Sequence, residues 1–120
     1  MNSTAAAAEA MALGLKMGID GRALYRVITQ SAGNSWMFEN RGAHIVAGDY
    51  TPHSAVDIFV KDLGIVASEA GDAACPTPLT ETALALFRTA SGEGLGREDD
   101  AAVAKILAAQ AGVALPGQTG

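Results

Sequence analysis

Val56, Phe59, Val60, Leu63, Val66, Ala67 and Ala70 recur at intervals of three and four residues, the spacing that lines one face of an α-helix. Nowhere does the chain carry the opposite signature, β-branched residues alternating with polar ones, so no sheet is expected. Composition points the same way. Apolar residues fill 49% of the 120 positions, but aromatics only 5%. Such a core is built from alanine and aliphatic side chains, which let helices approach closely, and alanine loses no side-chain entropy in a helix. The expected fold class is all-α, a compact bundle of five to six helices.

Caps and breakers divide the chain. A first, Ala-rich helix runs from about Ser3 to Met17 and stops at Gly18. Asp20 is the expected N-cap of a second, Gly21 to Ser31, with Leu24, Val27, Ile28 and Ser31 on one face. Ser35 or Asn34 caps a third, which ends at Ala47 before Gly48, and Pro52 makes a firm turn. The striped helix covers about Ala55 to Gly71, a fifth Leu79 to Ser91, and a sixth Asp99 to Gln110, capped by Asp99 or Asp100. The glycine-rich run SGEGLGRED between the last two reads as a flexible loop. Residues 1–110 are thus expected to form one helical domain and residues 111–120 a disordered tail.

The net charge of −5 argues against several partners. Lys16, Arg22, Arg26, Arg41, Lys61, Arg88, Arg97 and Lys105 are spread singly, whereas phosphate backbones and anionic membranes demand clusters, so neither nucleic acid nor membrane is an expected partner. No run of apolar residues is long enough to span a bilayer, and the N-terminus lacks a secretory pattern. Cys75 is the single cysteine, expected as a buried inert thiol in a reducing, cytoplasmic setting.

Lys61 and Asp62 stand side by side in VDIFVKDLG and admit two readings. Asp57 and Lys61 are spaced as an ordinary surface pair, acid first. Alternatively, Lys61 holds a carboxylate or phosphate as a mobile point charge that Asp62 fixes in place. Asn34 and Ser35, in GNSWMFENR, either cap a helix or offer its N–H groups to an anion. Trp36 and Phe38 are expected as core or interface anchors. His44 and His53 lack metal-site spacing, so no metal is expected. Ser35, His44 and Asp49 make a triad only on paper, with no nucleophile elbow. Gly92, Gly94 and Gly96 follow no strand and form no dinucleotide fingerprint.

AEAMALGLKMGID, SAGNSWMFENR, GDYTPHSAVDIFVKDLGIV and GLGREDDAAV, in that order, resemble the C-terminal helical domain of the β-hydroxyacid dehydrogenases, the 3-hydroxyisobutyrate dehydrogenase family. NSWMFENR and YTPHSAVDIFVKDLG look most like that family's L-threonate dehydrogenase branch. The resemblance covers about residues 5 to 107. It implies that Lys61 reaches a nicotinamide cofactor, NAD or NADP, and that Asp62, Ser54 and Asn34 line the substrate cleft. Many relatives place an aromatic residue where Ser54 stands; a hydroxyl there suits a polyhydroxylated acid.

Members of the family also have a Rossmann domain and a general acid/base lysine, and no segment of this chain matches either. No catalytic residue is therefore expected among these 120 positions. Lys16 is no substitute, because it lies at the wrong end of its helix, displaced on the order of 15–20 Å. The isolated chain is expected to be inactive and to bind no cofactor alone. Its implied partners are the missing Rossmann domain, a small hydroxy acid and further copies of itself in a homo-oligomer. The alternative is a non-catalytic helical dimerisation module.

Overall fold

A computed structural model describes residues 1–118. It is an all-α bundle of six helices, as expected: α1 (Asn2–Lys16), α2 (Gly21–Thr29), α3 (Trp36–Ala47), α4 (Val56–Asp72), α5 (Pro78–Ala90) and α6 (Val103–Ala111). A π-helical turn, Ser91–Leu95, and a 3-10 turn, Asp100–Ala102, lie between α5 and α6. Among the described residues there is no strand, only an isolated antiparallel bridge between Ala55 and Asp99. No described helix is long and apolar enough to cross a membrane.

Local chemistry sets most helix ends. The Asp20 carboxylate accepts from Ala23 N–H at 3.0 Å and starts α2. Of the two candidates for α3, the Ser35 hydroxyl is the cap, accepting from Phe38 N–H at 2.9 Å. Pro78 opens α5, where its missing N–H costs nothing.

Helix α1 lies at the centre of the bundle, against α3, α5 and α6. It buries Thr4, Ala5, Ala7, Ala8, Met11 and Ala12. Such small side chains let the backbones come close, and at Gly14 a methyl group would overlap Leu24 of α2. Large side chains fill the contact between α4 and α5. Phe59 meets Phe87 edge to face at 5.2 Å between ring centres, with Val56, Leu63 and Leu84 also buried. Each such side chain contributes roughly 1.5–3 kcal/mol by leaving water.

At several positions the structure either decides between the expected alternatives or departs from them. Of the two aromatics at the head of α3, Phe38 is buried and stacks on Tyr25, whereas Trp36 is 69% exposed. Residues two apart on a helix cannot both face one core. Val27, expected to share a face with Leu24 and Ile28, is exposed, whereas those two pack against the core. Cys75 is exposed rather than buried, since Ala74 turns with a φ of 54° just after α4 and carries it outward.

The tail also differs. Leu115 is 2% exposed, its N–H donates to Gln118 Oε1 at 3.0 Å, and Pro116 lies against Gly48. The segment through residue 118 is therefore docked, not disordered, because Leu115 has a core site to fill. The last two positions of the expected tail, 119 and 120, lie outside the described residues.

Gly48 joins these parts. Its φ is 67°, and an added methyl would stand 2.7 Å from the Pro116 carbonyl oxygen. Gly48→Ala should therefore cost about 2 kcal/mol, combining left-handed strain with displacement of the tail. Gly71→Ala, where a methyl meets nothing within 4 Å, should be neutral or stabilising by up to about 1 kcal/mol. Urea unfolding of both variants checks this; equal effects would contradict the tail docking.

Candidate functional site

Helix α4 carries Lys61 and Asp62 away from its buried face of Val56, Phe59 and Leu63. Ile58 and Ile65, one turn on either side of them, are exposed as well. The helix has no side-chain cap, because Ala55 stands at the N-cap. Its first N–H groups find partners elsewhere. Val56 N–H donates to the Glu98 carbonyl at 2.9 Å, and Asp57 N–H to the Gly96 carbonyl at 3.0 Å. The start of α4 is thus set by residues far along the chain.

This arrangement removes the surface pair anticipated between Asp57 and Lys61. The Asp57 carboxylate accepts from the Ser91 hydroxyl at 2.6 Å and sits directly over Gly96, where any side chain would overlap it. Lys61 Nζ lies 3.7 Å from Asp62 Oδ1 instead, with the two side chains 71% and 41% exposed. An exposed ion pair of this length contributes almost nothing to stability. It leaves the ammonium group available to a ligand.

Ser54 sits just before α4, where its carbonyl accepts from Asp100 N–H at 2.7 Å. Asn34 lies in the turn between α2 and α3, where its N–H donates to the Ser31 carbonyl at 3.2 Å. Its Oδ1 is buried without a hydrogen-bond partner. Its neighbours Gly33 and Ser35 line a hollow of about 420 Å³ with Ser3, Ala10, Ile28 and Phe38. Lys61 and Asp62 thus form a pair on α4, Ser54 lies in the segment that enters that helix, and Asn34 lies in the turn that enters α3.

Behind α4 lies a polar corner that the sequence reading saw only as a helix cap. Asp99 and Asp100 are fully buried. Asp99 does cap its turn, accepting from Ala101 N–H at 3.1 Å. It also lies 2.8 Å from His44 Nδ1 of α3 and accepts from His53 N–H at 2.9 Å. Its own N–H donates to the Tyr50 carbonyl at 3.0 Å. Asp100 accepts from Arg41 Nε at 2.6 Å, and that arginine is buried too. The visible signal was the Asp99-Asp100 doublet heading an alanine run, with Arg41 and His44 one helical turn apart.

The two carboxyls answer to opposing forces. Burial works against charge on Asp99, but hydrogen bonds from His44, His53 and Ala101 outweigh it and hold the carboxyl below its ordinary range. Burial raises Asp100 above that range; Arg41 opposes the rise, and the adjacent Asp99 adds to it. Nearby, Tyr50 is pushed up to about 12 by burial, then by Glu98 and Asp99. Its ring lies 4.4 Å under Lys105 Nζ, which also pairs with Glu98 at 2.5 Å. His44 and His53 meet edge to face at 4.6 Å, and no group of three potential metal ligands gathers among the described residues.

Residues 2–107 match the family described as NAD-binding of NADP-dependent 3-hydroxyisobutyrate dehydrogenase. The chain is 61% identical over 114 residues to an L-threonate dehydrogenase from Cupriavidus necator, covering 95% of this chain and 37% of that protein. It is 59% identical over 113 residues to the L-threonate dehydrogenase of Escherichia coli K12, covering 94% of this chain and 36% of the relative. The crystal structure of a 3-hydroxyisobutyrate dehydrogenase from Salmonella typhimurium superposes with a TM-score of 0.87 at 60% identity, over 88% of this chain and 37% of that one. The chain thus spans between 36% and 37% of the length of these relatives.

The corner yields a prediction whose sign follows from Asp100. Arg41→Met leaves that carboxylate buried without its cation, which should cost about 3 kcal/mol at pH 7. A carboxyl whose folded pKa is raised stabilises most when protonated, so part of the loss should return as pH falls through that raised value. Denaturant unfolding at pH 7 and pH 5 checks this. A loss independent of pH would contradict the assignment.

Proposed function

The chain belongs to the 3-hydroxyisobutyrate dehydrogenase family, and from that premise we propose that it forms the helical wall of the substrate and cofactor cleft of an NAD(P)-dependent hydroxyacid dehydrogenase. The substrate class is a small polyhydroxylated acid such as L-threonate, as in the names of the relatives at 59% and 61% identity.

One observation carries this reading. Lys61 is free of the helix pair that its spacing offers, because Asp57 is taken by Ser91, and its ammonium stands exposed beside Asp62. A lysine placed so can meet the carboxamide or phosphate oxygens of a dinucleotide, or a substrate carboxylate, as a point charge. Asp62 restrains where that charge stands. Ile58 and Ile65 flank the pair with apolar surface that would exclude water once a partner closes over it. Ser54 and Asn34 would offer a hydroxyl and an amide to a polyhydroxylated acid. The nicotinamide, when bound, supplies the acceptor for hydride. The isolated chain is inactive in this reading, and a Rossmann domain provides the pyrophosphate site and the general acid/base.

A second reading, a helical dimerisation module without chemistry, draws on the exposed Leu13, Met17 and Ile19 along and beyond the end of α1.

Reconstitution separates the two. The chain is titrated into the Rossmann domain of an L-threonate dehydrogenase, with oxidised cofactor and L-threonate, and reduced nicotinamide is followed by absorbance. Turnover that falls at least 100-fold with Lys61→Ala is expected, about 2.7 kcal/mol of transition-state binding. Absence of turnover, with stable dimers by light scattering, would favour the assembly module.

A further inference from the structure

We propose that Asp99 is a positioning residue for Lys61, acting through the backbone that starts α4; the inference rests on the cleft-wall reading above.

The link can be followed bond by bond. The Asp99 carboxylate gathers His44 of α3, His53 N–H of the segment leading into α4, and Ala101 N–H of its own turn. Its backbone N–H holds the Tyr50 carbonyl, and the next residue's N–H holds the Ser54 carbonyl. With the Ala55–Asp99 bridge, these bonds lay residues 96–100 alongside residues 50–57. The carbonyls of Gly96 and Glu98 are thereby brought to the first N–H groups of α4. A helix with its own Ser, Thr, Asp or Asn cap would keep its entry independent of such a neighbour. Helix α4 has alanine at that position, so its start follows segment 96–100.

Lys61 stands just over one turn into this helix, and Ser54 lies within the strapped segment itself. A small rotation of the first turn would move the lysine ammonium across the cleft, and errors of about 1 Å in such placements carry large kinetic costs. Asp99 is fully buried and touches neither Lys61 nor Asp62, so its effect passes through main-chain geometry alone.

Asp99→Asn keeps the shape and removes the charge that holds three donors. In the chain itself, amide exchange of Val56 and Asp57 should accelerate at least tenfold, whereas that of Leu84 and Phe87 in α5 stays within twofold. Unchanged exchange at Val56 and Asp57, or acceleration throughout, would overturn the proposal. In the reconstituted enzyme a double-mutant cycle gives the second readout. Asp99→Asn should lower kcat/KM about tenfold when Lys61 is present and less than twofold in a Lys61→Ala background. Equal losses in both backgrounds would mark a merely structural residue and overturn it. Lack of turnover with the unaltered chain would instead defeat the cleft-wall reading, leaving the exchange result to decide whether Asp99 sets the start of α4.

Discussion

Burial of two adjacent carboxylates at Asp99 and Asp100 is the constraint on which the rest of this bundle depends. An isolated charge out of water is costly enough that a fold must surround it with donors or neutralise it. Here Arg41 and His44 of α3 supply side-chain donors, and the backbones of His53 and Ala101 supply the others. Those donors bring together α3, the segment entering α4, and the turn entering α6, and Asp100 Oδ2 alone of the four carboxylate oxygens is buried without a partner. Apolar packing is strongest elsewhere, with α4 mainly on α5 and α1 mainly on α6 and α3. The polar corner sits beside an apolar core that already runs through α1, α3, α4, α5 and α6.

Much of the fold could be read from the sequence because helices are local. Periodicity along Val56–Ala70, the Asp20 and Ser35 caps and the Gly48 stop all act within about a turn, and α1 to α5 begin and end within two residues of the expected ends, whereas α6 starts at Val103 behind a 3-10 turn, four residues past the expected Asp99. What escaped was non-local. Arg41 and Asp100 are 59 residues apart, and His44 and Asp99 55, so no local pattern announces either pair. The same applies to Leu115, whose burial depends on a site made by other elements, and to Asp57, whose neighbour Ser91 lies 34 residues on. At the head of α3 both aromatics were expected as core or interface anchors, and only packing puts Phe38 in the core and leaves Trp36 exposed.

The site shows the same division. Lys61 and Asp62 were visible as a polar pair in an apolar helix, but their spacing fitted an ordinary surface arrangement equally well. The structure shifts that balance by engaging Asp57 elsewhere. Helix α4 is capped by another segment rather than by its own side chain, so its entry depends on residues 96–100. Ile58 and Ile65 stand exposed beside the Lys61–Asp62 pair on the same helix.

The most direct measurement is amide chemical-shift mapping of the isotope-labelled chain on addition of a Rossmann domain from an L-threonate dehydrogenase, without and with NAD(P). Perturbations centred on Ile58, Lys61, Asp62 and Ile65, growing when cofactor is present, are the predicted result. Perturbations confined to Leu13 and Met17 of α1, with α4 unmoved by domain or cofactor, would contradict the assignment of α4 as the working face.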